Sequence, residues 1–248
     1  MIIFGINPVL EALRARRVRR LRVGTRADRR IDAALALARE QGLPVERCDA
    51  QALERAARGG VHQGIVAELT PARDYSLAEL VAAAAPEAPL LLVLDGIEDP
   101  HNIGAVLRAA DAAGCHGVIR QARHAAPLDG AAMKASAGAA AHVRIATVVN
   151  IARAVEELKE AGVWTVGLAG DVAERYHQVD FTLPTALVLG AEGSGLRRLV
   201  RERCDRVVSI PMRGSVSSLN VSVAAGITLF EAIRQRQVHG TDTVRPAR

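Results

Sequence analysis

One stretch of the chain decides the predicted fold class: Leu90-Leu91-Leu92-Val93-Leu94, followed directly by Asp95-Gly96-Ile97-Glu98-Asp99-Pro100-His101-Asn102-Ile103-Gly104. Five consecutive apolar residues are typical of a strand buried on both faces, as in a parallel sheet. The polar loop after them, and the helical pattern of residues 103–113, indicate a strand–loop–helix unit. Repeated units of this kind build an open parallel sheet with helices on both faces.

The same alternation continues on both sides of this stretch. Further strands are predicted at 117–120, 163–168, 186–189 and 207–210, and further helices at 151–161, 195–203 and 219–236. Residues 1–70 alternate shorter strands and helices and form a smaller α/β unit, whose first helix is predicted to start near Val9 with Asn7 as its N-cap. We therefore predict a domain at 1–70, a linker with one short helix at 71–88, a parallel-sheet domain at 89–237 and a tail at 238–248.

The composition is typical of a soluble globular protein, because 50% of the residues are hydrophobic and 24% are charged. Its apolar runs are shorter than the roughly 20 residues that span a membrane, and the N-terminus lacks the layout of a signal peptide. These features predict a cytoplasmic protein. The three cysteines have no C-x-x-C spacing and are predicted to be reduced core thiols. The histidines show no metal-binding spacing, so no metal is predicted.

The positive charge is concentrated in two stretches of a chain whose net charge is +5. Residues 14–30 contain nine arginines and one acid, and residues 197–213 contain six arginines and two acids. Such patches attract phosphate backbones. A solvated face of an arginine-rich chain is the alternative, and the patches by themselves leave both interpretations open.

Three loops follow apolar strands, where ligands bind in parallel sheets. They are residues 95–104, 190–195 and 211–220. In the first loop Asn102 is a candidate N-cap, and Arg108 could simply pair with Asp111 on the helix surface. The second loop has the spacing G-x-x-G-x-G, which is not the dinucleotide-binding fingerprint. It could simply be a strand-to-helix turn in which Glu192 complements the helix N-terminus. The third contains more serines than one cap requires, which favours a polar ligand wall, and the alternative is a serine-rich loop with a Ser or Asn cap.

Taken together, these loops resemble the three signature motifs of the SpoU family of RNA ribose 2′-O-methyltransferases. The matching segments are Asp99-Pro100-His101-Asn102-Ile103-Gly104 with Arg108 and Ala110, Leu187-Val188-Leu189-Gly190-Ala191-Glu192-Gly193, and Ile210-Pro211-Met212 with Ser217-Ser218-Leu219-Asn220-Val221-Ser222. Outside the motifs, Phe4-Gly5-Ile6-Asn7-Pro8-Val9 and Val61-His62-Gln63-Gly64-Ile65 look like the small substrate-binding domain of this family, which is similar to a ribosomal-protein fold. The resemblance extends from Ile3 to about Gln237.

The resemblance implies a fold, a cofactor and a partner. The fold would be a parallel-sheet methyltransferase domain with a C-terminal trefoil knot and a small N-terminal α/β domain, assembled as a homodimer. The cofactor would be S-adenosylmethionine, and the residues expected to bind it are Gly190, Ile210, Leu219, Met212 and Leu168. The substrate would be a guanosine ribose of large-subunit ribosomal RNA, bound by the small domain.

The residues expected to act on the RNA also follow from the resemblance. The expected catalytic residues are Arg108, Asn102, Glu192, Ser218 and Asn220, and the expected RNA-binding residues are Arg16, Arg17, Arg19 and Arg20. Methyl transfer to a hydroxyl requires alignment and loss of the hydroxyl proton. Since arginine is a poor base, the hypothesis is that Arg108 holds the adjacent phosphate and eases proton removal, directly or through that phosphate.

The supporting roles are hypotheses of the same kind. Asn102 would orient Arg108 or its loop, and Glu192 would fix Arg108 or the cofactor loop. Ser218 and Asn220 would hydrogen-bond the ribose or the loop. Two alternatives stay open: a transfer-RNA or resistance-type ribose methyltransferase with the same chemistry, and a non-catalytic RNA-binding or ribosome-assembly protein that keeps the fold.

Overall fold

A computed structural model describes residues 2–25, 29–57, 59–70, 73–128 and 130–238. The strands are β1 (Ile2–Phe4), β2 (Val18–Val23), β3 (Val45–Arg47), β4 (Ile65–Leu69), β5 (Leu90–Asp95), β6 (Gly117–Gln121), β7 (Ile145–Val148), β8 (Trp164–Leu168), β9 (Thr185–Gly190) and β10 (Arg206–Val208). The helices are α1 (Ile6–Arg14), α2 (Arg29–Glu40), α3 (Ala50–Ala57), α4 (Leu77–Ala82), α5 (Pro100–Ala112), α6 (Gly130–Ala135), α7 (Ile151–Glu160), α8 (Arg198–Arg203) and α9 (Val221–Val238). Of the predicted tail, only Val238 is described, and it is the last residue of α9.

The predicted parallel sheet is confirmed. Among the described residues six strands form it in the order β10-β8-β9-β5-β6-β7, and every neighbouring pair is parallel. All six residues of β5 are buried, as expected for the central apolar run. The sequence prediction did not include β7 or α6, which are short elements without a strong periodic pattern.

Apolar cores cover both faces of this sheet, because successive side chains of a strand point to opposite faces. Leu92 and Leu94 of β5 belong to the cluster formed with α5 and α9. Leu91 and Val93 belong to the cluster formed with α4, α7 and α8. Burial of both faces stabilises the sheet through the hydrophobic effect.

The strand order reverses between β5 and β9. From β5 the chain proceeds outward through β6 and β7, and then returns on the other side of β5 through β8 and β9. Ligands of open parallel sheets bind beyond the carboxyl ends of the strands at such a switch point. Here Asp95, the last residue of β5, lies opposite Gly190, the last residue of β9, so the first two motif loops leave the sheet side by side.

The N-terminal unit contains a mixed sheet in the order β1-β4-β2-β3, with β2 and β3 parallel and the other pairs antiparallel. Its core cluster also includes Met133 of α6 and Ala141, which follows α6. The Arg17 guanidinium donates a hydrogen bond of 3.3 Å to the Ala141 carbonyl. The small unit is thus packed directly on the segment between β6 and β7.

Two predicted N-caps are wrong. Helix α1 begins at Ile6 rather than Val9, and Asn7 lies inside it. The Ile6 amide donates instead to Gln63 Oε1 at 2.9 Å, so a side chain distant in sequence satisfies this helix end. Helix α5 is capped by Asp99, which accepts from the His101 amide at 2.9 Å, and Asn102 lies within its first turn.

The helix predicted at 195–203 begins only at Arg198. Residues 191–195 form a turn closed by main-chain hydrogen bonds between Ala191 and Gly195, and the Arg197 amide donates to the buried carboxylate of Asp95 at 2.9 Å. Asn150 does cap α7 as predicted, accepting from the Arg153 amide at 3.2 Å. None of the helices formed by the described residues combines the length and apolar character needed to cross a bilayer.

Candidate active site

The three motif loops meet at the side chain of Asn220. Its Nδ2 donates to Asn102 Oδ1 at 2.9 Å and also to Glu192 Oε1. Its Oδ1 accepts from the Ser222 amide at 2.9 Å, which caps α9. One side chain therefore ties the first turn of α5 and the turn after β9 to the start of α9.

Glu192 lies in a tight turn that follows β9. Ala191 and Gly195 exchange main-chain hydrogen bonds of 3.1 and 2.9 Å, so the chain reverses between them. Gly193 and Gly195 have φ values of 79° and 67°, in the left-handed region that favours glycine. A Cβ at Gly190 would lie 2.1 Å from the Gly195 carbonyl carbon, so only glycine fits at the base of this turn.

Arg108 lies in α5 with its side chain exposed. Within the described part of the chain it makes no hydrogen bond or ion pair, and the simple surface pairing with Asp111 is absent. Asn102 and Glu192 bind Asn220 rather than Arg108, so of the two roles expected for each of them these hydrogen bonds favour positioning of a loop over contact with Arg108. A cationic side chain that has no partner among the described residues is available to an external anion.

Ser218, another polar residue of the third motif, is exposed and makes no side-chain hydrogen bond to the described residues. It lies two residues before Asn220 in the loop between β10 and α9. Its hydroxyl is therefore available to a ligand at the same edge of the sheet.

Apolar side chains flank the loops after β8 and β10. Leu168, Ile210, Met212 and Leu219 are all partly exposed. Leu168 is packed on the core cluster of the sheet. The two loops approach each other closely, since a Cβ at Gly170 would lie 3.4 Å from the Ser217 carbonyl oxygen. These residues are therefore not sealed in the core and can line a slot for a flat apolar group.

A cleft of about 600 Å³ opens between the first two motif loops. Its lining includes Asn102 and Glu192 together with Asp95, Asp99, His124 and Arg197. His124 comes from the loop after β6 and its Nδ1 lies 3.7 Å from Glu98 Oε1. The cleft is the space beside the Asn220 junction at the switch point of the sheet.

The four predicted RNA-binding arginines differ in their contacts. Arg16 and Arg20 are exposed and form no ion pair with the described residues. Arg19 pairs with Glu68 of β4, and Arg17 is directed to the Ala141 carbonyl between the two units. Arg26 and Asp28, which belong to the same basic stretch, lie outside the described residues. Free cationic charge is therefore greatest at Arg16 and Arg20.

The second basic stretch is largely neutralised by carboxylates. The pairs are Arg198–Glu202, Arg201–Asp171, Arg203–Glu156 and Arg206–Glu174. Arg213, in the third motif loop, is exposed and has no ion pair among the described residues. Most of this stretch therefore stabilises the fold instead of presenting free charge to a phosphate backbone.

The sequence prediction missed a polar cluster beneath the second motif. Asp95, whose side chain is fully buried, accepts hydrogen bonds from Arg197 Nε at 2.7 Å and from the Arg197 amide. Arg197 Nη2 also donates to Gln121 Oε1 at 2.8 Å. The available signal was an acid at the end of a fully apolar strand, since a buried carboxylate requires a partner.

The cysteines take no part in this site. Burial raises the pKa of Cys115 and of Cys204 to about 12, so both thiols stay protonated near neutral pH. Cys48 is a free thiol in the small unit. Protonated thiols are poor nucleophiles, which agrees with the predicted structural role of these residues.

Comparison with known proteins assigns the fold to a family. The SpoU rRNA Methylase family matches residues 89–230, and the RNA 2′-O ribose methyltransferase substrate binding family matches residues 2–75. The chain is 48% identical to the 23S rRNA (guanosine-2′-O-)-methyltransferase RlmB of Yersinia pestis over 239 residues, which are 95% of this chain and 97% of the relative. It is 46% identical to RlmB of Escherichia coli K12 over 242 residues, which are 95% and 98% of the two chains.

A solved structure agrees with this result. The SpoU methyltransferase AviRb from Streptomyces viridochromogenes, in complex with the cofactor AdoMet, superimposes with a TM-score of 0.80 and 31% identity, covering 96% of this chain and 91% of that one. The family matches extend over most of the chain and include all three motif loops. The chain therefore belongs to the SpoU rRNA methylase family.

Proposed function

We propose that this chain transfers a methyl group from S-adenosylmethionine to the ribose 2′-hydroxyl of a guanosine in 23S ribosomal RNA. The observation that carries the proposal is the junction at Asn220, where side chains from all three motif loops meet. The near-full-length similarity to guanosine methyltransferases supports the same substrate class.

The residues at the carboxyl edge of the sheet suit S-adenosylmethionine. Adenine needs an apolar slot with main-chain hydrogen bonds. Partly exposed apolar residues lie at the end of β8 and in the segment between β10 and α9, and they are Leu168, Ile210, Met212 and Leu219. A Cβ at Gly190 would clash with the Gly195 main chain, so glycine is needed at this position to form the turn after β9, whose main chain would contact the cofactor. When bound, S-adenosylmethionine supplies an electrophilic methyl group on a sulfonium.

Residues of this chain would provide the remaining requirements. Arg108 has no partner among the described residues, so its guanidinium can bind the phosphate next to the target ribose and stabilise negative charge as the hydroxyl proton leaves. Because guanidinium groups remain charged in proteins, we assign proton removal to that phosphate rather than to Arg108 itself. Ser218 can hydrogen-bond the ribose, while Asn102, Glu192 and Asn220 hold the surrounding loops in position.

The small unit would bind the RNA by charge. Arg16 and Arg20 form no ion pair with the described residues and could contact phosphates, whereas Arg19 would first have to leave Glu68 and Arg17 contributes to the packing between units. With six aromatic residues in the chain, stacking platforms for bases are scarce. Binding should therefore depend on phosphates and RNA shape, and weaken steeply with salt.

We also propose a division into domains at 1–70, 71–88 and 89–237, a trefoil knot in the C-terminal domain, a cytoplasmic location and a homodimer. The exposed apolar residues Val216, Val223 and Phe230 support a dimer, since the last two are seven residues apart on one face of α9. Light scattering of the purified chain would test the dimer.

Methyl transfer can be measured with labelled S-adenosylmethionine and 23S ribosomal RNA from cells lacking this modification. We expect label at a single guanosine ribose, and mapping of 2′-O-methyl groups identifies it. Arg108→Ala should abolish the label under single-turnover conditions while RNA binding stays within about threefold. The matched control is Arg153→Ala, which removes an exposed arginine on α7 outside the site.

Other outcomes distinguish the alternatives. Label found only in transfer RNA would support a transfer-RNA ribose methyltransferase with the same chemistry. Tight RNA binding without any label would support the non-catalytic assembly protein. Near-normal single-turnover methylation by Arg108→Ala would show that the role given to Arg108 is wrong.

A further inference from the structure

The turn that contains Glu192 is bound to the sheet at both of its ends. At its start, Gly190 pairs with Asp95 in the register of β9 and β5. At its end, the Arg197 amide donates to Asp95 Oδ2 at 2.9 Å, and Arg197 Nε donates to Oδ1 at 2.7 Å. Asp95 therefore neighbours both ends of the turn, through its main chain at Gly190 and through its buried carboxylate at Arg197.

Arg197 also connects the turn to a third strand. Its Nη2 donates to Gln121 Oε1 at 2.8 Å, and Gln121 is the last residue of β6. The guanidinium thus joins the carboxyl ends of β5 and β6 beneath the turn, with a planar arrangement of donors that lysine cannot reproduce.

This arrangement has a consequence for Glu192. The turn is short, and its own closing hydrogen bonds link Ala191 to Gly195. Rotation or lifting of its base would therefore move Glu192 away from Asn220. Because Asp95 is fully buried, it needs the Arg197 charge close by, and this requirement holds the turn in one position.

We propose that Asp95 and Arg197 are positioning residues for methyl transfer, which hold the Gly190–Gly195 turn so that Glu192 meets Asn220. The proposal rests on the proposed function, in which that junction organises the active site. Neither residue has to touch the RNA or S-adenosylmethionine for this role. Gln121 supports them by binding the outer edge of the guanidinium.

Arg197→Lys tests the proposal, because lysine keeps the charge but cannot contact the Asp95 and Gln121 side chains with the same geometry. We expect a 10- to 100-fold lower single-turnover rate, with the affinity for RNA changed less than twofold. Arg153→Lys is the matched control, since it alters an arginine–carboxylate pair on α7 and should leave the rate unchanged. Gln121→Ala is a milder second variant, expected to lower the rate about threefold, in case Arg197→Lys does not fold.

A double-mutant cycle identifies the route of the effect. If Arg197 acts through Glu192, Arg197→Lys should cost less than twofold when Glu192→Gln is already present. Fully additive losses in the double variant would overturn the proposal, as would an unchanged rate in both Arg197→Lys and Gln121→Ala.

Hydrogen exchange gives a readout that does not depend on activity. In the protein without S-adenosylmethionine, Arg197→Lys or Gln121→Ala should speed amide exchange in residues 190–197 at least fivefold, while α7 is unchanged. Unchanged exchange in this turn would overturn the positioning role. If the natural chain methylates no RNA, the proposed function fails, but the exchange experiment still decides whether Arg197 holds the turn.

Discussion

Substitution of Asn220 by aspartate separates the two tasks of this side chain. Aspartate is a good N-cap, so the bond from the Ser222 amide at the start of α9 can be kept. The amide donor is lost, however, and a carboxylate then faces Asn102 Oδ1 and the Glu192 carboxylate. Asn220→Asp should therefore disconnect the loops while leaving α9 capped.

The size of the effect follows from the bonds that are lost. A hydrogen bond to a charged group contributes about 1.5–3 kcal/mol and a neutral one about 0.5–1.5 kcal/mol. Glu192 and Asn220 are exposed, so the lower ends of these ranges apply and together amount to about 2 kcal/mol. Since about 1.4 kcal/mol is tenfold, the population of the assembled junction should fall roughly 30-fold.

Single-turnover methylation of 23S ribosomal RNA measures this population, and thermal unfolding measures the cap. We expect the rate to fall about 30-fold or more, while the melting temperature changes by no more than about 3 °C. The control is Asn150→Asp at the N-cap of α7, where the side chain accepts from the Arg153 amide and no motif loop is involved. That variant should lose neither rate nor stability.

A second substitution tests the polarity of the junction. In the Asn220→Asp background, Glu192→Gln supplies an amide that can donate to the new carboxylate, so several-fold of the lost rate should return. The reasoning is refuted if Asn220→Asp keeps at least a third of the methylation rate. It is also refuted if the melting temperature of Asn220→Asp falls as far as that of a variant in which α9 has lost its N-cap. Multiplicative losses in the double variant would also contradict it.

Three further predictions concern the rest of the chain. Arg20→Gln should reduce the slope of the logarithm of the RNA-binding constant against the logarithm of the salt concentration by about 0.7, because one phosphate contact is lost. Filter binding from about 50 to 300 mM salt measures this slope, and an unchanged slope would contradict the prediction. Burial raises the pKa of Asp205, but hydrogen bonds from Thr165 and Lys159 outweigh it and the pKa lies below its ordinary value of 3.8. The ionised carboxylate of Asp205 therefore adds stability that is present above pH 3.8 and is lost as the pH falls further. The destabilisation caused by Asp205→Asn should then shrink in acid. A difference in melting temperature between the two proteins that stays constant from about pH 3 to 7 would refute this. Gln63→Ala should lower the free energy of unfolding by about 1 kcal/mol with an unchanged urea m-value, because the Ile6 amide loses its partner; a change below 0.3 kcal/mol would count against that cap.

The sequence by itself determined the class of fold and the edge of the sheet at which the candidate site is proposed. Residues 90–94 are apolar without interruption, and a strand of this composition is stable only when both faces are covered, which is what the sheet provides. The order of strands and polar loops then placed three candidate loops at one edge. These features are local, because they depend on the period of apolar residues and on the residue types after each strand.

The partners of individual side chains were decided only by the tertiary structure. Asn220 meets Asn102 from 118 positions away, Arg197 meets Asp95 from 102, and Gln63 caps a helix that starts 57 residues earlier. No local pattern encodes such pairs, so Asn7 and Asn102 were wrongly predicted as caps, and the sequence left open whether Asn102 and Glu192 bind Arg108 or the loops around it. The reversal of strand order between β5 and β9 brings loops that are distant in sequence to the same edge of the sheet. Polar groups that become buried at this edge must then bind one another, because a buried polar group without a partner is unfavourable.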